Sequence, residues 1–565
     1  MNNPILKKPN IIRNVIVVII LLFVVNYVSG LFNLRFDLTQ DSRYTLSETS
    51  EKIASSAQKS VIIDVFLAGD IPADFRKLQG ETRQLLEEYA AINPNIKFAF
   101  VNPVPEEKSV EAVAQDFNQR GMRPEQVQVR NNGKVSQQFV FPWALVASQG
   151  KTIKVPLLKK ALGASPDELI SRSTQNLEYA FSDALYKLLN PKSKRIAVLK
   201  GNDELPDRYI ADFFSTLRES YFIAPFPLDS IAQKPEQTVE ALQSFDLVVV
   251  AKPVKPFTDA EKYALDQFTM SGGKSLWLLD MVAMETDSLY SNNGTAVAVP
   301  RDLNLNDMFF KYGVRINPVL IEDLYTAPIV LASGAGSNSQ YSQLPWFYYP
   351  LVTSKENHPI NSNIDNPVRF EYANQIDTLG NNIKKTVLLQ SSELSKINGV
   401  PLPISLDQVN LEPKPEDYTA GSQNLAVLLE GNFQSAFINR ILPLKTNNYR
   451  FRESAADPTK IVVIADGDLI KNELDKQGRP LELGFDKYTF KQYGNKEFLL
   501  NTVNYLLDDS GLINIRSKDI ALPALDSQKT MEERSTWQAL MLGLPLAILA
   551  LFGTIFYYLR RRRYA

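Results

Sequence analysis

The 565-residue chain has no cysteine and a single histidine, His358. The first absence excludes thiolate nucleophiles, Cys-based zinc sites and iron–sulfur clusters, and the second confines any Ser-His-Asp arrangement to one position. His358 lies in Glu356-Asn357-His358-Pro359, which reads as a loop, so a structural role is expected of it. No Walker motif is present. Ser271-Gly272-Gly273-Lys274-Ser275 ends like a phosphate-binding loop, but Phe268 stands where that loop needs a glycine. The segment also precedes its strand, so it reads as a helix C-cap and turn. Gly334-Ala335-Gly336-Ser337-Asn338-Ser339 has no strand before it, and dinucleotide binding is not supported there.

What is present describes a folded chain: 44% hydrophobic and 22% charged residues, with 30 Phe and 23 Tyr. At ~150 residues per domain, this length suggests about three or four units.

Both ends read as membrane helices. The 21 uncharged positions between Arg13 and Arg35 reach about 31 Å as a helix, close to the thickness of a bilayer core. Ser535 to Leu559 is again uncharged, and Pro545 is tolerable inside a membrane helix. A cleavable signal peptide is the competing reading of the first segment. The uncharged run through Leu31 and Phe32, without an Ala-x-Ala site, favours an uncleaved anchor. Lys7, Lys8 and Arg13 precede the first span and Arg560 to Arg563 follow the second, so both termini are expected in the cytoplasm and the bulk outside it. Subtracting those seven basic residues from the formal net charge of −2 leaves the rest of the chain at −9. An acidic exposed region is a poor partner for nucleic acid, whose phosphates demand the opposite sign.

Between the spans, Glu48 to Ala57 reads as a helix capped by Ser47, Val61 to Leu67 alternates as a strand, Glu81 to Ala91 is helical, and Ile96 to Val101 is a second strand. A hairpin is predicted around Asn131-Asn132-Gly133, with Lys151 to Pro156 extending the sheet and a helix over Leu177 to Leu189 closing the domain. This β-α-β beginning suits a thioredoxin-like fold, though one without cysteine performs no dithiol chemistry. After Pro191, apolar strands at 195–199, 221–226, 246–250 and 275–279 alternate with helices at 207–219 and 259–270, predicting a doubly wound parallel sheet. Farther on, a helix is predicted at 304–312, strands at 319–322, 386–390, 425–429 and 461–465, and an amphipathic helix at 497–507. Pro401 to Asp417, with four prolines, reads as a loop or linker.

Acidic residues gather where strands end. Asp466-Gly467-Asp468 suits a tight strand-exit turn, since two carboxylates are a thin donor set for a metal. Asp280 also ends a strand. No catalytic, cofactor-binding or metal-ligating residue is assigned.

Three blocks carry a family resemblance: Arg35-Phe36-Asp37-Leu38-Thr39 with Tyr44-Thr45-Leu46-Ser47; Gly431-Asn432-Phe433-Gln434-Ser435; and Val463-Ile464-Ala465-Asp466-Gly467-Asp468 followed by Gly494-Asn495-Lys496-Glu497-Phe498-Leu499-Leu500-Asn501. With the two flanking spans, the chain resembles the gliding-motility-associated ABC transporter auxiliary proteins of the GldG family. The resemblance implies a thioredoxin-like region followed by an auxiliary domain of amidotransferase-like fold, here without the catalytic cysteine of such enzymes. It also implies a multi-span permease and a cytoplasmic ATPase as partners, at the inner membrane of a bacterium that glides on surfaces. The division that follows is 1–34 (start and first span), 35–190 (thioredoxin-like), 191–515 (auxiliary), 516–538 (linker) and 539–565 (second span and basic tail).

The expected function is a non-enzymatic subunit that binds cargo or a periplasmic partner. Gly543, Gly553 and Thr554 offer the small-residue surface by which the second span would dock on the permease. The alternatives are a membrane-anchored envelope hydrolase using Asp280, Asp466 and Asp468, and an ATP-independent mechanical strut.

Overall fold

The computed structural model describes residues 20–21, 45–105, 107–131, 134–159, 164–333, 340–353, 358–444, 450–508, 511–512, 515 and 533–564. All of the first apolar span but residues 20–21, the Arg35 to Tyr44 motifs, the Gly334 to Ser339 segment and most of the 516–538 linker therefore lie outside the described residues. Contacts group the chain into Met1–Lys518 and Asp519–Ala565, each taken by itself below.

The first sheet follows the sequence pattern in three of its four strands; the fourth, Trp143–Ser148, was not predicted. Helix α1 (Glu48–Ser55) starts where the Ser47 hydroxyl accepts the Ser50 amide, with Glu48 and Glu51 in its first turn. Strand β1 (Val61–Val65) buries Val61, Ile63 and Val65 completely. Helix α2 (Ala73–Ile92) leads to β2 (Ile96–Phe100), and α3 (Val110–Gln119) leads to the hairpin β3 (Glu125–Asn131) and β4 (Lys134–Val140). Strands β5 (Trp143–Ser148) and β6 (Lys151–Pro156) precede α4 (Pro166–Leu189). The sheet order is β2-β1-β5-β6, with β1 parallel to β2 and antiparallel to β5. Helices α2 and α4 begin earlier than apolar periodicity predicts. Helix α2 follows Pro72 without a side-chain cap, whereas α4 opens with Pro166 in its first turn and a capping box in which Ser165 and Glu168 bond each other's backbone amides.

The second sheet has seven strands: β7 (Arg195–Lys200), β8 (Phe222–Pro227), β9 (Leu247–Ala251), β10 (Lys274–Leu278), β11 (Lys384–Gln390), β12 (Asn424–Gly431) and β13 (Thr459–Ile464). Their order is β11-β12-β13-β10-β9-β7-β8. The five from β13 to β8 are parallel, and β12 and β11 add antiparallel at one edge. Alternate side chains feed two separate cores. Ala197, Leu199, Val248, Val250 and Trp277 join α6 (Pro235–Leu242) and α7 (Asp259–Met270) on one face. Ile196, Val198, Leu247, Val249 and Leu276 join α5 (Asp207–Leu217) and α8 (Asn495–Leu507) on the other. Fully buried runs such as Leu247-Val248-Val249-Val250-Ala251 are what a sheet covered on both faces requires.

The connection from β10 to β11 carries strands the sequence pattern did not reveal, including Thr295–Pro300 and the long pair Thr326–Ser333 and Gln340–Val352. The predicted Pro401 to Asp417 loop contains a strand, Leu402–Ser405, which pairs with Thr295–Pro300 at the edge of a three-stranded sheet. Pro403 is tolerated there because an edge strand leaves one side unpaired. The Ser271 to Ser275 segment is the predicted cap and turn: Gly272 has φ +90°, and a Cβ at Gly273 would stand 2.4 Å from the Phe268 ring. In Asp519–Ala565, helix α9 (Arg534–Tyr564) contains a 29-residue stretch, Arg534–Arg562, long and apolar enough to cross a membrane.

Candidate functional site

Parallel strands bring their C-terminal ends to one edge, where open α/β sheets hold their ligand crevices. Lys252 follows β9, and Asp280 and Asp466 stand two positions beyond β10 and β13. The structure joins the three acids that the sequence singled out and adds a cation that it did not. Lys252 Nζ lies 2.5 Å from Asp468 Oδ2, 2.6 Å from Glu285 Oε1 and 3.4 Å from Asp280 Oδ2. Its backbone is left-handed at φ 54°, rare for a residue with a Cβ.

Backbone amides complete the cluster. Asp280 Oδ1 accepts from Gly467 N at 2.5 Å, while the two Asp466 oxygens accept from Asp468 N and Glu371 N, each at 2.7 Å. Gly467 is required by the close approach of Lys252: a Cβ there would stand 2.5 Å from Lys252 Cγ and 3.0 Å from Asp280 Oδ2. Lys471 adds a second ammonium 3.3 Å from Asp468 Oδ1, and the Arg301 guanidinium is 3.6 Å from Asp280.

Burial and charge act in opposition here. Burial lowers the affinity of the Lys252 ammonium for its proton, but Asp468, Asp280 and Glu285 outweigh it and hold its pKa well above the ordinary value. Burial raises Asp468, yet Lys252 and Lys471 bring it down to about 2. Asp466 is pushed well above the usual carboxylate range by burial and by its neighbours Asp280 and Asp468. Asp280 is raised by burial, which Lys252 only partly offsets.

Oxygens of Asp280, Glu285 and Asp468 lie within 4.8 Å of one another, a donor set of the kind that holds a divalent ion. The Lys252 ammonium lies among them and already supplies the positive charge. Asp280, Asp466 and Asp468 are 4%, 0% and 7% exposed, so all three are almost wholly shielded from solvent. Outside the cluster, a cleft of about 510 Å³ opens beside Glu285 and Lys471 and is lined also by Tyr209, Tyr290, Arg369 and Tyr488. Arg369 is fixed in its wall, 2.7 Å from Glu371 and 5.2 Å above the Tyr493 ring.

His358 lies apart from this site. Its Nδ1 accepts the Ile360 amide at 3.2 Å and its ring packs 5.0 Å from Tyr505, with burial lowering its pKa. Lys252, Glu285 and Arg369 were not found from the sequence. The available signal was a charged residue, Lys252, directly after the wholly apolar strand β9 and before Pro253.

Comparison with known proteins places the cluster within a recognised family region. Residues 193–502 match the family described as an ABC-type uncharacterized transport system, and residues 40–147 match a domain of unknown function, DUF7088. An uncharacterized protein of Borreliella burgdorferi is 20% identical over 348 residues, covering 60% of this chain and 61% of that protein. The chain thus spans under two thirds of that relative's length. Among solved structures, the mmIFT52 N-terminal domain aligns with 56% of this chain and 99% of that domain at 13% identity and a TM-score of 0.29. A cold-adapted β-galactosidase from Rahnella sp. R3 aligns with 76% of this chain and 58% of the enzyme at 10% identity and a TM-score of 0.19.

Proposed function

The chain belongs to the ABC-type transport-system auxiliary family, and from that premise we propose that it is a non-enzymatic, membrane-anchored subunit of an ABC complex linked to gliding motility. Both termini are cytoplasmic in this reading, the bulk is periplasmic, and a separate cytoplasmic ATPase hydrolyses ATP for a multi-span permease. The exposed region binds cargo or a periplasmic partner and couples it to that permease.

The observation that carries the non-enzymatic reading is the state of the three acids. Asp468 faces two ammonium groups, Asp280 faces Lys252 and the Gly467 amide, and Asp466 accepts two backbone amides. A glycosidase needs two carboxyls open to a sugar from opposite sides, and buried acids used this way bind strand ends together instead. The sheet order β2-β1-β5-β6 supports a thioredoxin-like reading of the first region. The doubly wound order β8-β7-β9-β10-β13 supports an amidotransferase-like reading of the second. Helix α9 supports the membrane anchor, since 29 helical residues reach about 44 Å.

Affinity isolation of the full chain in mild detergent tests the proposal. A permease and an ATPase are expected to copurify; isolation of the chain alone, under conditions that keep other ABC complexes intact, overturns it.

A further inference from the structure

On a different part of the molecule, the strand Val319–Asp323 pairs with Ser395–Gly399 so that Glu322 stands directly opposite Lys396. Beside this pair lies a pocket of about 310 Å³ whose walls include Phe347, Tyr348, Leu411 and Tyr418. The rings of Phe347 and Tyr418 are 6.0 Å apart at 60°, and the Lys396 ammonium lies 5.9 Å over the Tyr418 ring. Leu411 is exposed at the rim.

We propose that this pocket binds a methylated organic ammonium group, held by the aromatic walls and the Glu322 carboxylate, and that Lys396 occupies its cation position in the free protein. The oxygens of Glu322 are already engaged: Oε1 accepts from Asn398 Nδ2 at 2.8 Å and Oε2 from the Tyr418 hydroxyl at 3.0 Å. These donors are neutral, so the carboxylate has much of its hydrogen-bonding capacity satisfied while its charge is left to be balanced. Lys396 answers that charge loosely, at 3.7 Å from Oε2 and with its side chain 38% exposed. A quaternary ammonium has no N–H to place. It gains from negative charge and from ring faces within about 6 Å, and its methyl groups fill apolar space that a primary ammonium leaves open. A carboxylate already hydrogen-bonded, beside two ring walls, therefore suits a methylated cation better than the lysine beside it. The group is carried either on a small soluble molecule or on a lipid headgroup.

The test is calorimetric titration of the full chain, in a maltoside detergent, with choline, with glycerophosphocholine, and with 3,3-dimethylbutan-1-ol, the neutral isostere of choline. Choline or glycerophosphocholine should bind at least about tenfold more tightly than the neutral alcohol, because only they offer the charge. Preference for choline assigns a soluble ligand, and preference for glycerophosphocholine assigns a headgroup. Glu322→Gln should weaken binding by about tenfold or more, and Lys396→Gln, which removes the resident competitor, should tighten it several-fold. Equal affinity for the neutral alcohol overturns the proposal. So does the absence of choline and glycerophosphocholine binding in both the wild type and a folded Lys396→Gln protein.

Discussion

Lys252 and Asp468, 216 residues apart in sequence, meet at 2.5 Å between Nζ and Oδ2, each with a side chain only 4% exposed. This contact ties the end of β9 to the turn after β13 across the intervening strand β10. Removing one member leaves the other charged and shielded from water, which is costlier than removing both. Lys252→Met should therefore lower stability by about 3–5 kcal/mol in urea unfolding, and adding Asp468→Asn should recover part of the loss. Simple additivity of the two changes would show that the pair is not coupled.

Loss of Lys252 also uncovers a donor set. The oxygens of Asp280, Glu285 and Asp468 that lie within 4.8 Å of one another then lose the central Lys252 ammonium and keep Lys471 and Arg301 at their border. Millimolar Ca²⁺ should then raise the melting temperature of Lys252→Met and leave the wild type unchanged. A matching rise in the wild type would mean that a metal competes with the lysine in the native site.

The pH dependence follows from the sign of the Asp468 shift. Its native pKa of about 2 lies below the ordinary 3.8, so its contribution is present above pH 4 and is lost as the pH falls toward 2. Asp468→Asn should be less stable than the wild type at pH 7, and the difference should shrink between pH 4 and pH 2. Asp466 is shifted the other way, so its ionisation opposes folding as the pH rises above 3.8, until it titrates in the native state. A difference between Asp468→Asn and wild type that stays constant from pH 7 to pH 2 would contradict the ion-pair account.

Periodicity made most of the two sheets legible, because Val61, Ile63, Val65 and Leu67 recur at every second position and Leu247 to Ala251 is uninterrupted. Strand-exit acids also pointed to Asp280, Asp466 and Asp468. Their partners were hidden by distance along the chain: nothing local to Lys252 says that it faces an aspartate 216 positions away. The connection after β10 was legible only in part, at the helix over 304–312 and the strand over 319–322; the rest was hidden for another reason. Its strands carry prolines, among them Pro328, Pro345 and Pro350, which sequence rules read as breaks and which paired strands here accommodate.

Gly467→Ala tests the packing of the same turn. The backbone at Gly467 is not left-handed, so the expected penalty is steric alone, from a Cβ 2.5 Å from Lys252 Cγ. Overpacking of this kind costs about 1–3 kcal/mol. Gly380→Ala, with nothing within 4 Å of the new Cβ, should melt like the wild type. Equal melting curves for both variants would show that Lys252 moves aside freely.

The last prediction concerns helix α9, whose Gly543 and Gly553 each have open space where a Cβ would stand. Small residues let helix backbones approach closely in a bilayer, where apolar side chains gain nothing by leaving lipid. The two glycines are ten residues apart, and at ~3.6 residues per turn they fall about 80° off a common line, so with Thr554 they border one broad face rather than a narrow seam. Gly543→Leu with Gly553→Leu should keep the helix membrane-inserted, since leucine suits lipid, while releasing the permease in a mild-detergent pull-down. Retention of the permease by this double variant, or by a chain carrying an unrelated anchor helix, would shift the docking role to the exposed region. There Tyr290 and Tyr488, at the mouth of the cleft beside the Lys252 cluster, are the aromatic side chains to truncate next.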